Sequence, residues 1–447
     1  MQKFQTILIG FFAGVAIIAV LMFAGLIPGF KNKGGTENAV NLSLWGTFDK
    51  SQMRPLIASL NEKNKTKFAV KYESKNADSY ASDIVNALAA GKGPDMWIIK
   101  QDAVLKNLDK VIILPFNSFS ERSFRDAFAD SAEVYLFFGG GKRRSSDLPS
   151  VEGTVALPIA IDPIVLYWNK DLFSSAGVAR PPEYWDEFLD NVVSLTKRDE
   201  AGNIVRAGTA LGEFGNIKNA KDILSMLFLQ LGEKIVDPVS LKVVLGEKNK
   251  NAVINPAENA ILFFTEFSNP KKSSYTWNRA LPVSDDMFAA GSLAMYFGYA
   301  SELEEMRAKN PHLNFDIAPV PQVRDGNVRA TFGKVYAVAA SKSSRNARSV
   351  FPAMFAMAMD DGFGESFSRA FFLAPARRDP LAAGSEDPYF SIIYKSAIMA
   401  KTWLEPDAGE IYKIFKNMVE STATGKVRVA EAVRGANKQM ERLLKSK

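Results

Sequence analysis

Three aspartates stand where the sequence changes character. Asp49 follows the stretch LSLWGTF, Asp102 closes GKGPDMWIIKQ, and Asp162 is a single acid inside the apolar run LPIAIDPIVLYW. Carboxylates accept hydrogen bonds from pairs of hydroxyls, and charge-assisted bonds are stronger than neutral ones. Trp45, Trp277, Tyr299 and Tyr412 offer flat faces of the kind that stack on the C–H face of a sugar ring. Thr47 and Gln101 add short polar groups, and Arg377, in LAPARRD, adds a donor for hydroxyls or a carboxylate. Such a set suits a polyol. Catalytic chemistry is less well served. The chain has no cysteine and a single histidine, His312 in KNPHLNF, which excludes thiolate nucleophiles, thiolate metal sites and a Ser-His-Asp triad built elsewhere. A carboxylate pair such as Asp102 with Asp162 leaves a glycan-active enzyme as an alternative, although no local motif marks such a pair. No residue pattern calls for a catalytic centre, a metal or a cofactor.

The elements that must position these side chains alternate. Leu42 and Leu44 predict a strand ending at Trp45. Met53, Leu56, Ile57 and Leu60 predict one face of a helix, with Pro55 near its first turn. Phe68, Val70 and Tyr72 alternate as a second strand. A helix from about Ser79 to Ala90 stops at Gly91, and GKGPD turns into the buried strand MWII. This β-α-β-α-β rhythm is that of a parallel sheet covered by helices. Open sheets of this kind bind ligands beyond the carboxyl ends of their strands. Trp45, Thr47, Asp49, Gln101, Asp102 and Tyr299 all fall there. Structural readings compete: Trp45 also suits the cover of a sheet end, Asp49 a helix N-cap, and Asp162 a buried structural bond, since a buried acid needs partners.

Further along, Val155–Ile159 and Ile164–Trp168 read as two strands. Asn169 to Asp171 caps the next helix, Gly177 breaks it, and Pro181 and Pro182 open an amphipathic helix with Trp185, Phe188, Leu189, Val192 and Val193 on one face. The region from Ala207 to Asn278 reads as mainly helical. Leu293–Phe297 is a strand ended by Gly298, and Ser301 with Glu304 fits a capping box. Phe315–Pro319 and Val335–Ala339 are strands, a helix containing Pro352 follows, and the tail from Ile411 to Leu444 is helical with a break at Gly425.

The whole chain holds 447 residues, 47% hydrophobic and 23% charged, enough for two or three cores. Its net charge of +6 comes from interspersed residues, a pattern of solubility rather than of nucleic-acid binding. The segment GGGKRRSSD near Lys142 reads as a solvated basic loop. From Phe4 to Phe30 there is no charge, and this apolar run is long enough to span a bilayer core of about 30 Å. It predicts an uncleaved membrane anchor, followed by a tether, KNKGGTEN. Without a cysteine there is no lipid attachment site.

Taken in order, LSLWGTFD, GKGPDMWIIKQD, the segment from Pro158 to Phe188, FAAGSLAMYFGY, FDIAPVP and the segment from Gly333 to Ala347 resemble the extracellular solute-binding proteins of ABC importers, in the group of maltose-binding protein. The resemblance covers roughly residues 40 to 445, and LYWNKDLFSSAG followed by PPEYWDEF is its most specific part. It implies a two-lobed, periplasmic-binding-protein-like α/β fold of type II. Residues 1–38 would be the anchor and tether. Residues 39–158 plus 320–371 would form one lobe, and 159–319 plus 372–447 the other. The chain would cross between lobes near Asp162, near Pro319 to Pro321 and near Phe372 to Pro375, with Arg377 just past the last crossing. Positions matching Thr47, Asp49, Asp102, Asp162 and Tyr299 line the sugar cleft in such relatives. A tryptophan commonly stands where Tyr299 is here. The implied protein is a monomeric, membrane-tethered receptor with its globule outside the cell. It takes a sugar-like ligand, hands it to an ABC permease, and has no nucleic-acid partner and no enzymatic activity. A ligand-binding sensor or adaptor that signals to a membrane partner is the alternative.

Overall fold

The computed structural model describes residues 39–138, 151–247 and 255–445. The apolar N-terminal run and the basic loop near Lys142 lie outside the described residues. Among the described residues, no helix is long and apolar enough to cross a membrane.

The first unit is β1 (Val40–Gly46), helix α1 (Lys50–Lys63), β2 (Phe68–Ser74), helix α2 (Tyr80–Ala89) and β3 (Met96–Lys100). Both β2 and β3 pair with β1 in parallel. Met53, Leu56, Ile57 and Leu60 form the buried face of α1, as their spacing requires. Asp49 caps α1 by accepting the amides of Ser51 and Gln52. The helix therefore starts at Lys50, and Pro55 lies in its interior rather than its first turn. The GPD turn has a structural purpose. Asp95 accepts the amide and hydroxyl of Ser43, each at 2.9 Å, and the Ser344 hydroxyl at 2.6 Å. Burial opposes its ionisation, but these hydrogen bonds win and hold its pKa below the ordinary carboxylate value.

The central strand is β4 (Leu157–Asn169), 13 residues long and almost wholly buried. Sequence alternation suggests two strands here. The structure has one, because the chain changes neighbours without turning. Residues Leu157 to Pro163 pair with β9 (Thr331–Ala340), whereas Ile164 to Asn169 pair with β7 (Leu293–Tyr299) and β8 (Phe315–Ala318). Pro163, which has no N–H to offer a ladder, sits at the changeover. The remaining strands of this sheet are β5 (Lys197–Arg198), β6 (Ile204–Thr209), β10 (Ala374–Pro375) and β11 (Ala400–Lys401). The order is β2-β1-β3-β9-β4-β7-β6-β5, with β8 and β10 also on β4 and β11 on β9. One half-sheet thus lies on either side of the changeover, and each is packed by its own helices.

Several local expectations are corrected. The face of the helix Trp185–Leu195 buries Phe188, Val192 and Leu195, while Val193 is exposed. Among the described residues, the region from Ala207 to Asn278 holds two helices, α3 (Ala220–Gln230) and Pro256–Glu266. The strand β7 runs through Gly298 to Tyr299. The Tyr299 amide is accepted by Glu302 at 3.3 Å, and the Ser301 hydroxyl turns away to Asp162, so the Ser301–Glu304 capping box does not form. The helix Ala347–Ala358 passes through Pro352. The tail forms α4 (Ala408–Ala423) and α5 (Val429–Lys445), broken at Gly425 with φ +69°. Asn169 caps the helix after β4 through the amides of Asp171 and Leu172, as expected.

Candidate functional site

At the changeover, chain segments from both half-sheets converge on a group of charged side chains. Asp162 comes from β4 and Lys334 from β9. Tyr299 ends β7, and Lys221 and Asp222 lie in the first turn of α3. Glu405 comes from the segment after β11, and Lys100 with Asp102 ends β3. Asp162 is 1% exposed; its oxygens accept the Ser301 amide at 3.1 Å and hydroxyl at 2.7 Å. Burial pushes its pKa up to about 6, although Lys334 and the Ser301 bonds pull the other way.

Tyr299, also buried, donates its phenolic O–H to Asp222 Oδ2 at 2.6 Å. Lys221 lies between two acids. Its ammonium is 2.6 and 2.8 Å from the two oxygens of Glu405 and 2.7 Å from Asp222 Oδ1, the last without the alignment of a hydrogen bond. Two carboxylates sharing one lysine in a dry site cannot both ionise freely. Glu405, fully buried, is accordingly pushed up to about 7 by desolvation, with the Asp222 charge adding to it. Asp222 is held low because the charges of Lys221 and Lys334 outweigh its own desolvation. Lys334 stands over the Tyr299 ring, 3.4 Å from its centroid, a close cation–π contact. Lys100 and Asp102 face each other at 3.5 Å, and Gln101 beside them is buried, accepting the Val335 amide at 2.9 Å.

A groove of about 620 Å³ is lined by sequence neighbours of this cluster but by none of its charged side chains. One wall is the segment around Ser131 and Val134, next to Tyr135, whose O–H donates to the Val335 carbonyl at 2.7 Å. The other is Thr402 to Leu404, next to Glu405, facing Val236 across the groove. The hydroxyls of Ser131 and Thr402 are buried there without a hydrogen-bond partner among the described residues. Another concavity, of about 480 Å³, lies between α4 and α5, away from the charged cluster.

Of the residues singled out in the sequence, the structure brings Gln101, Asp102, Asp162 and Tyr299 together. Trp45 lies half-buried at the end of β1, its ring face covered by the Lys75 ammonium at 3.6 Å. Thr47 and Asp49 are exposed just beyond it, and the Phe48 between them is tucked against Tyr336, Phe367 and Phe371. Three others stand apart. Trp277 is wholly buried and donates to Asn216 Oδ1 at 3.0 Å; it is a core residue. Arg377 donates to the Met359 carbonyl and to Asp379, each at 3.2 Å. Tyr412 is exposed on α4 and leans on Phe214. The sequence reading missed Lys334, Lys221, Asp222 and Glu405. Lys334 carries the same signal as Asp162, one charge in an apolar strand, TFGKVYAVAA. Lys221 and Asp222 are two adjacent charges opening the otherwise apolar helix AKDILSMLFLQ.

Two α/β half-sheets joined by one shared strand, with polar side chains gathered at the join, define a two-lobed ligand-binding protein. The chain belongs to the bacterial extracellular solute-binding protein family, whose model matches residues 49–357. A binding protein of Brucella abortus is 21% identical over 376 residues, covering 82% of this chain and 84% of its own length. The fold is that of the cyclic α-maltosyl-1,6-maltose binding protein from Arthrobacter globiformis (TM-score 0.72, 15% identity, 92% of this chain and 100% of that one). It is also that of a cyclo/maltodextrin-binding protein solved with maltotetraose (TM-score 0.69, 17% identity, 92% and 98%). The family and these neighbours are binding proteins.

Proposed function

We propose that this chain is the receptor of an ABC importer. It binds a sugar or oligosaccharide between its lobes and delivers it to a membrane permease. The observation that carries the reading is the changeover of β4 at Asp162 and Pro163, where the charged cluster lies between two half-sheets joined by that continuous strand. Solved structures of the same fold hold maltotetraose and, in another case (TM-score 0.64, 20% identity), mannotriose, which supports a saccharide. Asp102, Asp162 and Tyr299 are the contacts proposed at the centre, with Gln101 positioning β9, and Trp45, Thr47 and Asp49 at the rim of the first lobe. Trp277, Arg377 and Tyr412 are not part of that centre.

In this reading the lobes are 39–158 plus 320–371 and 159–319 plus 372–447, and they move about the strands that cross between them. Ligand touching both lobes favours the closed form, because only that form makes every contact. The apolar stretch before residue 39 anchors the globule outside the membrane, and the chain acts as a non-catalytic monomer. The test is small-angle scattering with and without a panel of neutral and acidic sugars. A ligand that reduces the radius of gyration of the wild type, and no longer does so for Asp162→Ala, supports the reading. A panel that leaves the wild type unchanged overturns it.

A further inference from the structure

The balance of donors and acceptors around the cluster is uneven. Asp162 spends both oxygens on Ser301. Asp222 accepts from Tyr299 through Oδ2 and keeps Oδ1 beside Lys221 without a hydrogen bond, Asp102 faces only Lys100, and Glu405 is held by Lys221 alone. Glu302 accepts from Asn219 at 2.7 Å and from the Tyr296 hydroxyl, and Gln101 accepts from Val335. Lys334 is the exception. Its ammonium has three N–H donors, yet among the described residues no oxygen accepts from it, and its close neighbour is the Tyr299 ring face. Its cross-strand partner is Asp162, whose oxygens are already occupied.

A second observation points the same way. Burial lowers the Lys334 pKa and the charge of Lys100, at the end of β3, adds to that, despite the charges of Asp222, Asp162 and Glu302. An anion beside Lys334 would offset both penalties on its charged form. A neutral sugar can give hydroxyl donors to Asp102, which faces only Lys100 at 3.5 Å, and to the unpaired Asp222 Oδ1, but it brings no negative charge to Lys334. The Lys334 ammonium is better matched by an acceptor bearing charge.

We infer that the ligand carries an oxyanion seated on Lys334, a carboxylate borne on a sugar. The inference rests on the sugar-receptor reading above and narrows it to acidic saccharides.

Titration calorimetry on the purified full chain tests it with galacturonate and trigalacturonate against galactose and maltotriose, and with acetate and inorganic phosphate as bare anions. The expected result is that an acidic sugar binds at least about tenfold more tightly than its neutral counterpart. Lys334→Met should abolish that preference, and Lys334→Arg should keep most of it. A thermal melt of each variant separates loss of the contact from loss of the fold. Equal or tighter binding of the neutral sugars overturns this inference and leaves the sugar-receptor reading standing. Acetate or phosphate binding as tightly as the acidic sugars overturns the saccharide part. Heat from none of the sugars overturns both.

Discussion

Asp162 and Lys334 are register partners on neighbouring antiparallel strands, and they do not form an ion pair. The carboxylate turns to Ser301 and the ammonium to the Tyr299 ring. Opposite charges directly across a ladder ordinarily meet. Their separation here divides the junction into an acid already satisfied by the second lobe and a cation with donors to spare.

The acid gives a pH signature. Its pKa rises from 3.8 in the unfolded chain to about 6 on folding, so the fold favours its protonated form. That contribution to stability is full below about pH 4 and is lost as pH rises through the folded value. Urea unfolding of the wild type and Asp162→Asn between about pH 4 and 7 should show the wild-type advantage shrinking as pH rises. The ceiling on that change is about 3 kcal/mol. A constant difference across the range contradicts the assignment.

The Lys221–Glu405 pair is buried, so removing one partner strands the other. Lys221→Met should cost about 3–5 kcal/mol. The double variant Lys221→Met with Glu405→Leu should recover part of that loss, because the stranded Glu405 charge is removed while Asp222 still lacks its lysine. Additive losses in the double variant would show that the pair is not acting as a unit.

Gly298 lies in β7 where a Cβ would come 2.5 Å from the Tyr296 ring, 3.0 Å from the Tyr167 ring and 3.0 Å from Glu302 Oε2. Tyr167 in turn donates to the Tyr299 carbonyl at 2.6 Å. Gly298→Ala should therefore lower stability by about 1–3 kcal/mol and disturb the Tyr299 backbone, read as a lower urea midpoint. An unchanged midpoint would mean the two rings move aside freely.

Lys106, after β3, reaches Asp407, the N-cap of α4, at 3.0 Å, a contact between the two lobes as proposed above. The pair is partly exposed, so Lys106→Ala should change global stability by no more than about 1 kcal/mol. Its effect should instead be on lobe closure, seen as a larger radius of gyration at low salt that converges with the wild type at high salt. Identical scattering at both salt concentrations would show that the contact does not bias closure.

Much of this was legible in the sequence because it is local. The buried face of α1, the Asn169 cap and the Gly425 break each follow from spacing or from one residue's conformational preference. The β-α-β-α-β opening follows in the same way. What stayed hidden depends on distant segments. Nothing near residue 162 shows that β4 continues through its acid, because the continuity comes from exchanging β9 for β7 and β8 as neighbours. Glu405 looks like an ordinary turn acid in WLEP until α3 places Lys221 against it. Trp277 could not be separated from a sugar-stacking ring by sequence, since burial and ligand contact favour the same side chain. Lys334 is as visible as Asp162, a lone charge in an apolar strand, but the sequence reading singles out the acid alone, and the family resemblance adds weight to its position and to none matching Lys334.

The position of β9 has a consequence for synthesis. In the sheet it lies between β3 and β4, yet its residues, Thr331–Ala340, come long after both. In a chain emerging from its N-terminus the place between β3 and β4 is filled only once residue 340 has appeared. The native sheet therefore cannot close until about three quarters of the chain has been made.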